Sequence, residues 1–219
     1  MSLGFCTITP SRGDRPQFLE FCKHQLSRMT LKPDKSYFID YPPTDDRKDL
    51  VPRIKKGIEL AQADGFDKVY VIEDDDFYPP NYFERMEMDG FDFIGCNRSL
   101  YYNISNRTYE YLYHPDRASL YCTGFKISAL KGFQWPEHQA IFLDLKLWRH
   151  AKRQNRKVHL KSDPIGVSIK HGIGLSGGSG HRRYLKREDK ELEFLKSVVD
   201  KEAFEFYVNL INTPKPVTG

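Results

Sequence analysis

The order of elements in this sequence predicts an α/β protein built on a mainly parallel sheet. Short apolar runs rich in β-branched and aromatic residues, Gly4 to Thr9, Tyr37 to Asp40 and Val69 to Ile72, alternate with segments whose apolar residues recur at helical spacing. Three strands with helices between them, all within the first 76 residues, call for right-handed crossovers and hence parallel pairing. The third run ends on Glu73-Asp74-Asp75-Asp76, and ligand sites of such sheets lie outside the strands' carboxyl ends.

The first strand leads through Pro10-Ser11-Arg12-Gly13-Asp14 to a helix that starts with Pro16, where a missing N–H costs nothing. Phe18, Cys22, Leu26 and Met29 give it one apolar face. Tyr37 to Asp40 is the second strand, broken by Tyr41-Pro42-Pro43, and Val51, Ile54, Ile58 and Ala61 mark a second amphipathic helix that ends at Asp64-Gly65. After the acidic run comes a short helix from Pro80, then a strand from Phe91 to Cys96. Tyr101, Tyr102, Tyr109, Tyr111 and Tyr113 flank the turn-forming residues Asn103 to Arg107, as in a hairpin with an aromatic face suited to packing or to stacking a ligand. A short helix is expected near Ser128. Asp144 interrupts an apolar run at the head of a basic helix reaching Gln154, a position suited to a helix cap or to catalysis. Val158 to Leu160 and Ile165 to Ile169 are the last expected strands. A glycine-rich loop between His171 and His181 follows, then a charged helix from Tyr184 and an amphipathic segment ending near Ile211.

The acidic run carries the chemistry. On an extended strand Glu73 and Asp75 share one face and Asp74 and Asp76 the other, so one pair converges on a point. Adjacent carboxylates repel unless a cation lies between them. Oxygen ligands without paired cysteines favour Mg2+ or Mn2+, and the alternative is a solvated acidic turn.

At 219 residues the chain is read as one domain, with residues 1–96 as one half and 97–219 as the other. Its net charge of +4 suits an anionic ligand without demanding nucleic acid. Cys6, Cys22, Cys96 and Cys122 form no CxxC pair and read as buried thiols. No signal peptide or membrane-spanning run is visible, so a cytoplasmic location is the expectation.

The ordered set of features from about residue 4 to residue 171 resembles the family 2 glycosyltransferases, which have the GT-A fold. Thr9-Pro10-Ser11-Arg12 is similar to that family's Thr-Pro-x-Arg strand end, and Asp40 to its aspartate after the second strand. Arg53, Gly57, Ile58 and Ala61 look like its R-N-x-G-I-x-x-A helix, with the Arg-to-Gly spacing one longer and the Asn absent. Glu73-Asp74-Asp75-Asp76 resembles the DxD metal motif, and Thr123-Gly124-Phe125 followed by Asp144 resembles the acceptor-side segment and the helix that supplies the base.

The resemblance implies a Rossmann-like three-layer sandwich whose residues 1–96 bind a nucleotide-diphosphate sugar, a UDP-sugar being favoured. It implies Mn2+ or Mg2+ held by Asp75, by Asp76 or Glu73, and by His171. Thr9, Pro10, Ser11, Arg12, Asp40, Arg53, Glu73, Asp74, Arg182 and Arg183 would bind the donor, and Asp144 would be the base of an inverting transfer to a glycan, a lipid-linked precursor or a modified DNA base. Two other classes remain open at this point: a metal-dependent nucleotidyltransferase or other phosphoryl-transfer enzyme, and a non-catalytic nucleotide-sugar-binding module.

Overall fold

In the computed structural model, residues 4–43, 49–136, 142–172 and 185–212 are described. The first half runs β1 (Phe5–Pro10), α1 (Pro16–Ser27), β2 (Lys35–Ile39), α2 (Leu50–Ala63), β3 (Lys68–Val71), α3 (Tyr82–Arg85) and β4 (Phe93–Cys96). Then come the hairpin β5 (Arg98–Asn103) and β6 (Thr108–Tyr113), β7 (Thr123–Lys126), α4 (Leu143–Arg153), β8 (Val158–Lys161) and β9 (Val167–Lys170). β10 (Arg187–Glu188), α5 (Glu193–Val198) and α6 (Lys201–Asn212) follow.

The main sheet has the order β2-β1-β3-β7-β4-β8 and is parallel except for β7, which runs antiparallel to β3 and β4. The carboxyl ends of β1, β2, β3, β4 and β8 therefore share one edge. Register explains the layers, because residues paired across strands point to the same face. Thr7, Tyr70, Gly124, Ile94 and His159 form one row, and α3 packs on that face through Phe83, which with Phe5 and Tyr70 makes a cluster of rings 4.8 to 5.3 Å apart. Each such aromatic pair contributes about 0.5–1.5 kcal/mol beyond its buried area. Ile8 and Gly95 belong to the opposite face, where α2 brings Gly57 against Ile8 and α4 brings Trp148 against Gly95. The expected three-layer α/β arrangement is present.

The second sheet, β10-β6-β5-β9, has its own apolar cluster of Phe77, Leu100, Tyr102, Val167, Ile169, Leu195 and Tyr207 under α5 and α6. Phe77 joins the sheets: it exchanges both backbone hydrogen bonds with Val167, at 2.9 and 3.0 Å. The turn after β3 is thereby held between the two.

One expectation is corrected here. The charged helix starts at Glu193 rather than near Tyr184, because Arg187 and Glu188 pair with Tyr109 and Thr108 and the Asp189 carboxylate accepts from Phe194 N and Leu195 N to start α5. The tyrosine face of the hairpin packs: Tyr109 stacks on Phe194 at 3.5 Å and the Tyr102 hydroxyl donates to Asp189. Tyr113 alone of the five is strongly exposed. Among the described residues no helix is long and apolar enough to cross a membrane.

Candidate functional site

β3 ends at Val71, so Glu73 to Asp76 form a turn rather than a strand, closed by Asp76 N donating to Glu73 O at 3.4 Å. Strand alternation therefore does not pair these carboxylates. Instead the neighbours Asp74 and Asp75 meet one cation, while Glu73 and Asp76 lie near another.

The first cation is Arg15, at the head of α1. Its Nη2 donates to Asp74 Oδ1 at 2.7 Å and its Nη1 to Asp75 Oδ2 at 3.2 Å. Ser11 Oγ donates to the other Asp74 oxygen at 2.7 Å. His171, just past β9, places Nε2 2.8 Å from Asp75 Oδ2 and 3.1 Å from Arg15 Nη1. Its ring also packs on Phe18, 4.5 Å between centroids. Burial alone would raise Asp75, but the charges of Arg15 and His171 hold it well below the usual carboxylate range. Asp74, more enclosed and beside the Asp75 charge, is pushed up to about 6.

The second cation is Lys170, the last residue of β9. Burial disfavours its charge, yet Asp76, Glu73 and Asp75 together raise its pKa. Asp76 is fully buried: Oδ1 accepts from Ile169 N at 2.7 Å and Oδ2 has no partner among the described residues. Burial raises both Asp76 and half-buried Glu73, the latter to about 7, with the Asp75 charge adding to the shift and Lys170 opposing it.

Asp144 is not the helix cap. Phe142 occupies that position, and Asp144 lies in the first turn of α4, where the helix N-terminus favours an anion. It is 7% exposed and paired with Arg117. Burial raises its pKa against the pull of Arg117. Its own charge adds to the upward shift of Glu73, which places it in the electrostatic neighbourhood of the acidic turn.

The structure pairs Ser11 with Asp74 and Asp75 with His171, joins the two pairs through Arg15, and sets Asp76 toward Lys170. Thr9 and Pro10 are buried at the end of β1. Arg12 pairs with Asp14 at 2.7 Å and not with the acidic turn. Asp40 is exposed, its carbonyl pressed against Gly13, whose positive φ of 69° and 2.3 Å clearance leave no room for a side chain. Arg53 is buried and holds the strand-end loops together: it donates to the carbonyls of Ser11, Ile39 and Pro42 and to Asp49, with Tyr41 stacked on its guanidinium. Arg182 and Arg183, like His181, lie outside the described residues. The sequence reading missed Arg15, Lys170 and Arg117. Arg15 left one signal, since it fills an N-cap position that normally takes Ser, Thr, Asp or Asn, and its side chain caps nothing there.

No family model matches this sequence, and no curated protein matches it. Among solved structures the chain is similar to A197 from STIV, at 14% identity and a TM-score of 0.47 over 73% of this chain and 82% of that one. It is also similar to S. aureus TarS 1-349 in complex with UDP-GlcNAc, at 12% identity and a TM-score of 0.49 over 81% of this chain and 61% of that one. Both are partial likenesses in chain path, and neither bears on the reaction.

Proposed function

We propose that this chain is a glycosyltransferase that moves a sugar from a nucleotide-diphosphate donor to an acceptor hydroxyl with inversion. The observation that carries this reading is the meeting of Asp75 and His171, 96 residues apart in sequence, at the carboxyl edge of a mainly parallel sheet. A second, separately held carboxylate, Asp144, stands within electrostatic reach of that edge.

Among the described residues no group of three or more His, Cys, Asp or Glu side chains is placed to hold a metal ion, so a divalent cation here would rest on two protein ligands and on the substrate. Ligands about 2.0–2.1 Å from Mg2+ lie about 3 Å from one another in an octahedron, and the Asp75 to His171 separation of 2.8 Å matches that spacing. One or two protein ligands suffice where substrate phosphates supply the rest. Asp75 and His171 would hold Mn2+ or Mg2+, with Asp76 engaged by Ile169 N and set toward Lys170 and Glu73. When bound, the metal would neutralise charge on the departing diphosphate.

The chain's own groups do the rest. Arg15 and Lys170 are fixed cations that offset the charge of the acidic turn, Arg15 through its ion pairs with Asp74 and Asp75 and Lys170 from among Asp76, Glu73 and Asp75. Asp144 takes the proton of the acceptor hydroxyl, and Arg117 holds it in place and ionised. The acceptor is a glycan, a lipid-linked precursor or a DNA base, and a steep loss of affinity with salt would mark the last of these.

Thermal unfolding with UDP, GDP, CDP, ADP and dTDP, each with Mn2+ and with chelator, tests the reading. One diphosphate should raise Tm only with metal, and Asp75→Ala should abolish the rise. Ligand at about 100 times Kd adds roughly 2.7 kcal/mol, a readily seen shift. No response to any diphosphate would remove the proposal.

A further inference from the structure

We infer that the cleft between α3 and the carboxyl end of β8 binds phosphate, as the free ion or as a phosphomonoester. The cleft encloses about 380 Å3 and is lined by Arg85, His159, Lys161, Ser162, Asp163 and Ile165, among others. None of these residues belongs to the acidic turn or to the Asp144–Arg117 pair.

The register builds it. His159 pairs with Ile94 and so points to the face that carries α3, and Lys161, two residues on, points the same way. Arg85 closes α3 on that face. Phe91 lies against the His159 ring, 4.7 Å between centroids, and holds the imidazole at the cleft.

Charge then selects the occupant. Arg15, Arg53 and Arg117 are each engaged with carboxylates. Among the described residues neither Arg85 nor Lys161 has an ion pair or a side-chain hydrogen bond, and Asp163 on the same wall reaches neither of them. Their fields nevertheless converge on one place. The thiol of Cys96, at the end of β4, is drawn down first by its bond with Cys122, then, against burial, by a backbone hydrogen bond at Ile165, and last by the charges of Arg85 and Lys161. A guanidinium fork, an ammonium, an imidazole and a hydroxyl around one cavity match a tetrahedral dianion with several acceptor oxygens. One carboxylate at the wall does not cancel two unpaired cations. The volume exceeds that of a phosphate alone and leaves room for a sugar-sized substituent.

The experiment is a titration of the whole chain with inorganic phosphate and, in parallel, with glucose 6-phosphate, at ionic strength matched with chloride. Binding is followed by thermal unfolding and by amide chemical shifts of 15N-labelled protein. The expected result is saturable stabilisation, with the largest shifts at Arg85 and from His159 to Ile165. Arg85→Met with Lys161→Met should weaken it by about tenfold or more per cation removed, whereas Lys55→Met with Lys56→Met on exposed α2 should leave it unchanged. Glucose 6-phosphate binding more tightly than phosphate identifies a phosphomonoester ligand, and equal or weaker binding identifies the free ion. Shifts that centre instead on Ser11, Arg15 and residues 73–76, or a response that never saturates, or one equal in the Arg85/Lys161 variant, overturns the inference. Any metal-dependent diphosphate response should survive in that variant, so failure here is distinct from failure of the transferase reading. If the double variant does not fold, the shift map of the wild-type chain decides alone.

Discussion

Arg117 touches the chemistry of two residues. Beside Asp144 it opposes the upward pull of burial on that carboxyl, and beside His114 it adds to burial in holding the imidazole down at about 4. Asp144 must be ionised to accept a proton, so transfer should rise with pH through its raised pKa. Arg117→Met should move that acidic limb to higher pH in a kcat/KM profile, and an unmoved limb would assign it to another group. Asp144→Asn should abolish transfer while leaving nucleotide-diphosphate stabilisation intact, and retained transfer would remove Asp144 as the base. For His114 the pKa shift runs the other way, downward. Its folded pKa lies below the ordinary 6.5, so between 6.5 and about 4 the unfolded chain takes up a proton that the folded chain refuses. Its contribution to stability is full above 6.5 and is lost as pH falls toward 4. Tm of the wild type relative to His114→Gln should drop across that window and hold steady above it.

At the scale of elements, α2 is placed by contact rather than by propensity. A Cβ at Gly57 would lie 2.4 Å from Ile8 Cγ2, close to the backbone of a central strand with little freedom to retreat. Gly57→Ala gains about 1 kcal/mol of helix propensity but overpacks a tight contact, at a cost of about 1–3 kcal/mol. The expected outcome is a net loss, seen as a lower denaturant midpoint at unchanged slope. That α2 is a helix was legible in Val51, Ile54, Ile58 and Ala61. That its Arg53 would gather three carbonyls was not, because hydrogen bonds to backbone leave no periodicity in sequence. The acidic run shows the same boundary. Its place after a buried strand was readable, and the resemblance pointed to His171, which the fold brings to Asp75. The period-2 rule failed at Glu73 because the strand stops at Val71, and composition cannot tell a strand's last residue from a turn's first. Arg12 and Arg15 are equally basic, and only the fold decides which one reaches Asp74.

Taken whole, the molecule assembles its acidic turn from remote parts of the chain. Ser11 and Arg15 hold Asp74, Gln25 donates to Asp76 O, Ile169 N binds the Asp76 carboxylate, and Tyr207 from α6 donates to Asp75 O at 3.3 Å. Tyr207 is fully buried in the second apolar cluster. Tyr207→Ala should cost about 3–5 kcal/mol and weaken diphosphate-dependent stabilisation as well, although the residue lies outside the proposed donor contacts. Tyr207→Phe should keep the packing and lose at most about 1 kcal/mol, and equal effects of the two would show that the hydroxyl rather than the ring matters. The joining of the turn to residues near 169, 171 and 207 also sets an order of events during synthesis. A ribosome that has passed Asp76 has made four neighbouring carboxylates and one of their two cations. Lys170, His171 and the α6 tyrosine arrive about a hundred residues or more later, several seconds at ordinary elongation rates of about 5–20 residues per second. Through that interval the nascent chain carries an acidic segment without Lys170, so the docking of the second sheet is expected to be the step that completes the site.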